Sequence, residues 1–273
     1  TCNLVRAANV GVRLISSPEN LGFGRGCNLG AKQAAGDWLL FANPDVQLTA
    51  VPDLTGAGGR SFGLGAGRLT TWGRDNGVPG VRAEITHAED WLQEVWTLFV
   101  PRPMSRYLVG RRWPAGWPIG GMCIARRDEY QAVGGFDPRY FLFFEDRDLG
   151  RRYRENGLPV RVLDGLEGIH WAGSSSAEVA SWRRGAWSIV SWLEYLAVWR
   201  SADQAASTAA HVLQLLGAIA KLANLSALPD RVRIKAESAR MTAHFIRNFD
   251  EFLPSDPSSY YPGARVAVSA ARI

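Results

Sequence analysis

The sequence predicts an α/β domain with an α-helical extension towards its C-terminal end, on three observations. Residues 10–42 read as strand, glycine-rich loop, helix and strand; residues 119–163 read as strand, helix, helix and strand; beyond Ser176 only helical periodicity remains. At 273 residues the chain suits one large domain with an appendage, or two small domains. With 47% hydrophobic and 21% charged residues it has the composition of a packed protein, which excludes wholesale disorder.

The elements follow in order. VGVRLISS (residues 10–17) alternates apolar and polar residues and ends in a Ser-Pro-Glu-Asn breaker, the pattern of a strand entering a turn. A glycine-rich loop, a helix from Cys27 to Ala35 and a Gly36-Asp37 stop lead to WLLFA (residues 38–42), a buried strand ending at Asn43-Pro44-Asp45. Residues 52–82 are loop-rich with one or two strands, and residues 87–113, with three Trp and two Pro, read as a variable loop able to cover a site. A strand over 119–125, a helix over 127–133, a Gly-Gly stop, an aromatic loop and a helix from Glu145 to Asn156 capped by Gly157 come next. LPVRVL (158–163) is a further strand. Three helices are expected over 178–200, 204–226 and 231–249, then a loosely held tail over 251–273. The domains are therefore 1–176, 177–250 and 251–273.

Charge and cysteine content narrow the partners. Thirty-one basic against 26 acidic residues leave +5, too mild for a dedicated nucleic-acid binder and better suited to small anionic ligands. Cys2, Cys27 and Cys123 are an odd number without C-x-x-C spacing, so neither a disulfide framework nor a four-thiolate zinc site is expected. A reducing, cytoplasmic setting is the expectation, with no run of 18 apolar residues and no signal-peptide layout in the first residues given. The chain begins without Met, which points to a missing N-terminal piece. Trp192, Tyr195 and Trp199 form an aromatic stripe on the first C-terminal helix, either core packing or an interfacial surface for an anionic membrane.

Four groups of residues can carry chemistry. Glycines 22, 24, 26 and 30 in NLGFGRGCNLG (20–30) suit a phosphate-cradling loop or a tight turn with close packing. Asp45 at a strand end suits a Mg2+ or Mn2+ ligand or an ordinary Asn-Pro-Asp turn. His170 suits a second metal ligand or a structural histidine. Glu145, Asp146 and Asp148, behind the run Tyr140-Phe141-Leu142-Phe143-Phe144, suit a dipole-stabilised helix start, with Asp148 pairing to Arg151 or Arg152. The same acids suit a partly desolvated general base.

In order along the chain, N-L-G-F-G-x-G-x-N-x-G, N-P-D, G-G, then GGFDPRYFLFFEDRDLGRR (134–152) and H-x-x-G-S resemble an inverting family-2 glycosyltransferase of the GT-A fold. The resemblance is closest to its bacterial rhamnosyltransferase-like branch and covers residues 10–176. It implies a Rossmann-like, mostly parallel sheet and a metal-dependent transferase. Asp45 would hold the metal at the donor diphosphate with His170, and Asn43 would replace the first acid of the family's D-x-D motif. Asn20, Gly22, Gly24 and Asn28 would join Asn43 and Asp45 around the sugar donor. Gly120, Gly121, Gly135, Phe136 and Asp137 would shape the acceptor side. Asp146 would be the general base, with Glu145 beside it. The implied partners are a dTDP- or UDP-sugar, dTDP-L-rhamnose by preference, and a glycan or lipid-linked glycan of cell-wall type. Peripheral membrane contact and a homodimer through the helical extension are further expectations, and no nucleic acid is expected. The strand-helix-strand unit with which the family opens is absent from the sequence. Two rivals stand beside this reading: a degenerate glycan-binding or scaffold protein, and a metal-dependent nucleotidyltransferase on a similar sheet, against which Asn43 counts.

Overall fold

The computed structural model describes residues 3, 6–7, 11–55, 62–71, 81–83, 116–118, 121–171, 181–225, 229–248 and 270. The expected loop over 87–113, Gly120, and the tail apart from Ala270 lie outside the described residues.

Helix α1 (Gly22–Gln33) leads into β1 (Trp38–Ala42), with the strand bounds read from the sequence. The helix starts at Gly22 rather than Cys27, so the glycine-rich stretch is helical. Its glycines serve close packing. A Cβ on Gly22, whose φ is +74°, would lie 2.2 Å from the Phe141 carbonyl oxygen, and one on Gly24 would lie 3.0 Å from Phe136 Cβ. Residues 11–20, expected to include a strand, form no regular structure, and Val12 is 60% exposed. Alternation makes a strand only where a sheet face covers its apolar side, and among the described residues no strand pairs with this segment.

Strands β2 (Val46–Ala50), β3 (Leu64–Thr71), β6 (Met122–Arg126) and β7 (Val160–His170) complete a five-stranded sheet in the order β1-β6-β3-β7-β2. Short strands β4 (Val81–Ala83) and β5 (Gly116–Pro118) pair as a separate ribbon. The sheet is mixed, which corrects the expectation of a mostly parallel one. Strands β1, β3 and β7 run the same way, but β6 threads antiparallel between β1 and β3, and β2 lies antiparallel to β7, leaving β3/β7 as the parallel pair among the described strands. Strand β7 also runs beyond the expected 158–163. Its register against β3 jumps from Val162 to Glu167, across Gly165 at φ +81°, and pairing then resumes to His170.

Helix α2 (Arg127–Ala132) follows β6, and Gly134 and Gly135 (φ +88° and +67°) end it. Helix α3 (Glu145–Glu155) ends before Gly157 (φ +73°), as expected. One face of the sheet packs Leu64, Cys123, Leu149 and Tyr153; the other packs Met122, Ile124 and Leu166.

The C-terminal helices are α4 (Ser181–Trp199), α5 (Ala202–Lys221), which Ser201 caps through Gln204 N–H at 3.1 Å, and α6 (Asp230–Arg247). They share one apolar core with Tyr140, Phe141 and Phe144 of the aromatic loop, so packing is continuous from the α/β domain into the helices. Trp192 is fully buried there and Tyr195 is 4% exposed. The indole N–H of Trp199 donates to Asp148 Oδ1 at 2.8 Å. These contacts correct the membrane-facing reading for Trp192 and Tyr195, whose rings are covered by protein, while Trp199 is half-buried. Ala202–Asn224 is long and apolar enough to cross a bilayer, with mean hydropathy 1.2, and 33% of its apolar window is buried in the protein.

Candidate active site

Parallel directions of β1, β3 and β7 bring their carboxyl ends to one edge, where ligands of open α/β sheets bind. Asn43-Pro44-Asp45 leaves β1 at that edge, tied down by Asn43 N–H to Gly121 O at 2.9 Å and Val46 N–H to Asn43 O at 3.0 Å. His170 ends β7, and the β2/β7 register sets it opposite Val46. Trp171 N–H then donates to Asp45 O at 2.9 Å.

Two residues 125 positions apart in sequence, Asp45 and His170, thus meet with His170 Nε2 3.3 Å from Asp45 Oδ1. Asp45 is 8% exposed, while the His170 side chain is 27% exposed and open to a ligand. One carboxylate and one imidazole are a partial donor set for a divalent cation, leaving room for phosphate oxygens and water. Among the described residues no group of three or more metal-ligating side chains occurs, so such an ion would depend on its ligand for the rest of its shell.

The second group is built by α3. Phe143 and Phe144 both have positive φ, 68° and 66°, a conformation that bulky residues rarely adopt and that costs about 1–3 kcal/mol each. This turn delivers Glu145 and Asp146 to the first turn of α3, where the helix dipole favours acidic side chains. The two carboxylates differ. Glu145 is 5% exposed, its Oε2 has no hydrogen-bond partner among the described residues, and burial followed by the neighbouring Asp146 pushes its pKa well above the usual glutamate range. It lies against α1, where burial and the proximity of Glu145 push the Cys27 thiol up to about 12. Asp146 is half-buried, accepts Arg147 N–H at 2.8 Å, and is the more accessible carboxylate. Both acids act electrostatically on Cys123, two residues past the Gly121 that holds Asn43, which links the α3 start to the same edge of the sheet.

The raised Glu145 pKa has a pH consequence. The folded protein keeps a proton that the unfolded chain releases, so above the ordinary value of 4.5 the unfolded state binds fewer protons and stability falls as pH rises. Glu145→Gln is expected to reduce that slope, measured as the urea midpoint against pH; an unchanged slope would remove Glu145 as its source.

The other residues singled out in the sequence are distributed differently. Asn28 locks the Gly135–Asp137 segment from within: its Nδ2 donates to Phe136 O at 2.8 Å, and its Oδ1 accepts from Tyr130 OH at 2.6 Å and Phe136 N–H at 3.0 Å. Asn20 Oδ1 accepts Gly22 N–H at 3.1 Å on the exposed approach to α1. Gly22 and Gly24 face Phe141 and Phe136, so the structure gives them packing partners in place of the open loop expected. A Cβ on Gly135 would lie 2.6 Å from Asn28 Oδ1. Asp137 takes both carboxylate oxygens to Arg139 Nε at 3.0 Å; burial raises its pKa, but the Arg139 bonds outweigh this and hold it below the ordinary value. A cavity of about 590 Å³ lies between α1 and the α2–Gly134 turn, lined by Arg25, Asn28, Lys32, Tyr130 and Gly135; none of Asp45, Glu145, Asp146 and His170 lines it.

Sequence reasoning missed Arg147. Its guanidinium carbon sits 4.2 Å from the Trp117 ring centroid, 5.1 Å from Phe144 and 5.3 Å from Tyr195, an aromatic enclosure completed by two distant segments. Between two acids in Glu-Asp-Arg-Asp, it carries no local signal of burial.

Residues 3–52 match the family described as Glycosyl transferase family 2. Among curated proteins, the N-acetylglucosaminyl-diphospho-decaprenol L-rhamnosyltransferases of Mycobacterium tuberculosis strains CDC 1551 / Oshkosh and ATCC 25618 / H37Rv are each 30% identical to the chain over 190 residues. The match spans 60% of this chain and 60% of each relative. Among solved structures, the crystal structure of GalNAc-T7 with UDP, GalNAc and Mn2+ aligns with 96% of this chain and 48% of that one, at 14% identity and a TM-score of 0.47.

Proposed function

We propose, with the match to glycosyl transferase family 2 as the premise, that the chain is an inverting, metal-dependent glycosyltransferase acting on a nucleotide-activated sugar. The observation that carries the reading is the meeting of Asp45 and His170 at the carboxyl ends of β1 and β7, to which the α3 start adds the carboxylates of Glu145 and Asp146. The preferred sugar is L-rhamnose from dTDP-L-rhamnose, and the acceptor a glycan or lipid-linked glycan. Support for the rhamnose and for a lipid-linked acceptor comes from the names of the mycobacterial relatives, which match over 60% of their length.

Asp45 and His170 would hold Mg2+ or Mn2+ against the donor diphosphate. Bound there, the cation neutralises the charge that grows on the leaving diphosphate. Asp146 takes the proton of the acceptor hydroxyl as that oxygen attacks the anomeric carbon from the face opposite the leaving group, which inverts the configuration. Glu145, sealed behind it, keeps water from the rear of the pair and shapes its electrostatics. Gly121, bonded to Asn43, would line the acceptor approach, whereas Phe136 is fully buried and Gly135 packs against Asn28 and Tyr130, which counts against an acceptor-shaping role for these two.

Calorimetric titration with dTDP and with UDP, each with and without Mn2+, tests the donor site. Metal-dependent binding that Asp45→Ala abolishes is the expected result, with dTDP the tighter ligand. Binding of neither nucleotide by this chain and by a version extended at its N-terminus would overturn the transferase reading.

A further inference from the structure

We propose that the face of α4 carrying Ser191, Glu194, Tyr195 and Trp199 is a brace that positions the Glu145–Asp146 carboxylates, making the helical extension a working part of the site. The role assigned to the carboxylates rests on the proposed function; the brace itself rests on geometry. At spacings of three, one and four residues these side chains lie on one helix face. Each grips a different point of the segment around the carboxylates.

Ser191 Oγ, fully buried, donates to Leu142 O at 2.6 Å. Glu194, 1% exposed, has Oε1 3.9 Å from a terminal guanidinium nitrogen of Arg139, whose Nε also binds Asp137. The Tyr195 ring stacks 5.7 Å from Phe144 and helps enclose Arg147, and its hydroxyl accepts from Arg151 at 3.4 Å. Trp199 donates its indole N–H to Asp148 Oδ1 at 2.8 Å while its ring lies 4.3 Å from the Arg151 guanidinium carbon. The grips fall at 139, 142 and 144 before the carboxylates and at 147, 148 and 151 after them.

Between the two sets stand Phe143 and Phe144 in the left-handed region, a conformation that persists only where surroundings impose it. Packing alone does not explain the choice of residues. A helix that merely filled the core would carry apolar side chains, because a buried hydroxyl and a buried carboxylate are unfavourable unless paired. Here both meet the segment that aims Glu145 and Asp146.

The test uses the full chain with Cys2→Ser, so that Cys27, packed near Glu145, reports on the segment while Cys123 stays fully buried. Ser191→Ala and Trp199→Phe each remove one hydrogen bond and keep most of the packing. Native-state labelling of Cys27 by a thiol reagent is expected to speed up about three- to tenfold in each variant, the effect of one lost buried hydrogen bond on local opening. The urea midpoint should move too little to account for it. Metal-dependent dTDP binding should persist and the donor KM stay put, while kcat for transfer falls by about as much as labelling rises. Unchanged Cys27 labelling in both variants, or labelling that rises only in step with global unfolding, overturns the brace. Failure of the wild-type chain to bind nucleotide would instead count against the transferase reading, and the labelling result would still decide the brace.

Discussion

Asp146→Asn is expected to slow sugar transfer by about 10²–10⁴-fold while metal-dependent donor binding survives. The amide keeps the size of the side chain and can still accept the Arg147 N–H that the Asp146 carboxylate now accepts at 2.8 Å, so the α3 start should stand. What it loses is the ability to take a proton from a hydroxyl. Glu145→Gln should act differently. Its carboxyl is sealed at 5% exposure, so that variant should change stability against pH more than it changes rate. Steady-state transfer kinetics on both variants, set beside nucleotide titration, separate the roles. Wild-type rates in Asp146→Asn would remove it as the base.

The second large effect concerns stability. Trp192→Ala is expected to cost about 3–5 kcal/mol, because the ring is fully buried among the three C-terminal helices and no neighbour can fill so large a space. Marginal proteins hold only about 5–15 kcal/mol in total, so the urea midpoint should fall sharply. A membrane-inserted Trp192 would behave in the opposite way, with stability unchanged and lipid binding lost. A urea midpoint equal to wild type would restore that alternative.

Both effects show what the sequence conveyed. Local signals were legible where one residue type has one meaning: the apolar run Trp38–Ala42, the turn residues Asn43-Pro44-Asp45, the Gly134-Gly135 stop and Gly157 all stand where pattern reading put them. The pairing of Asp148 with Arg152, at 2.7 Å one helical turn on, was legible for the same reason. Direction was not legible. Period tells which face of a strand is apolar but not which way its neighbour runs, so β6 was expected in a mostly parallel sheet and lies antiparallel in it. Glycines were ambiguous, since those of α1 open space for Phe136 and Phe141 and not for a phosphate-cradling loop. The aromatic stripe on α4 looked the same whether it met lipid or protein, and only the fold supplied Asp148 as the partner of Trp199. The strand pattern at residues 11–17 is real in sequence and unrealised in structure, because a strand needs a neighbour to bond.

The reversed direction of β6 also bears on how such a molecule can diversify. A strand delivers to the sheet's carboxyl edge whichever end of itself points there. For β1 and β7 that is the downstream end, which carries Asn43–Asp45 and His170. For β6 it is the upstream end, which carries Gly121. An insertion just before β6 therefore reaches the same edge as one just after β1, and because Gly121 O accepts the Asn43 N–H at 2.9 Å, a change in either stretch is felt by the other.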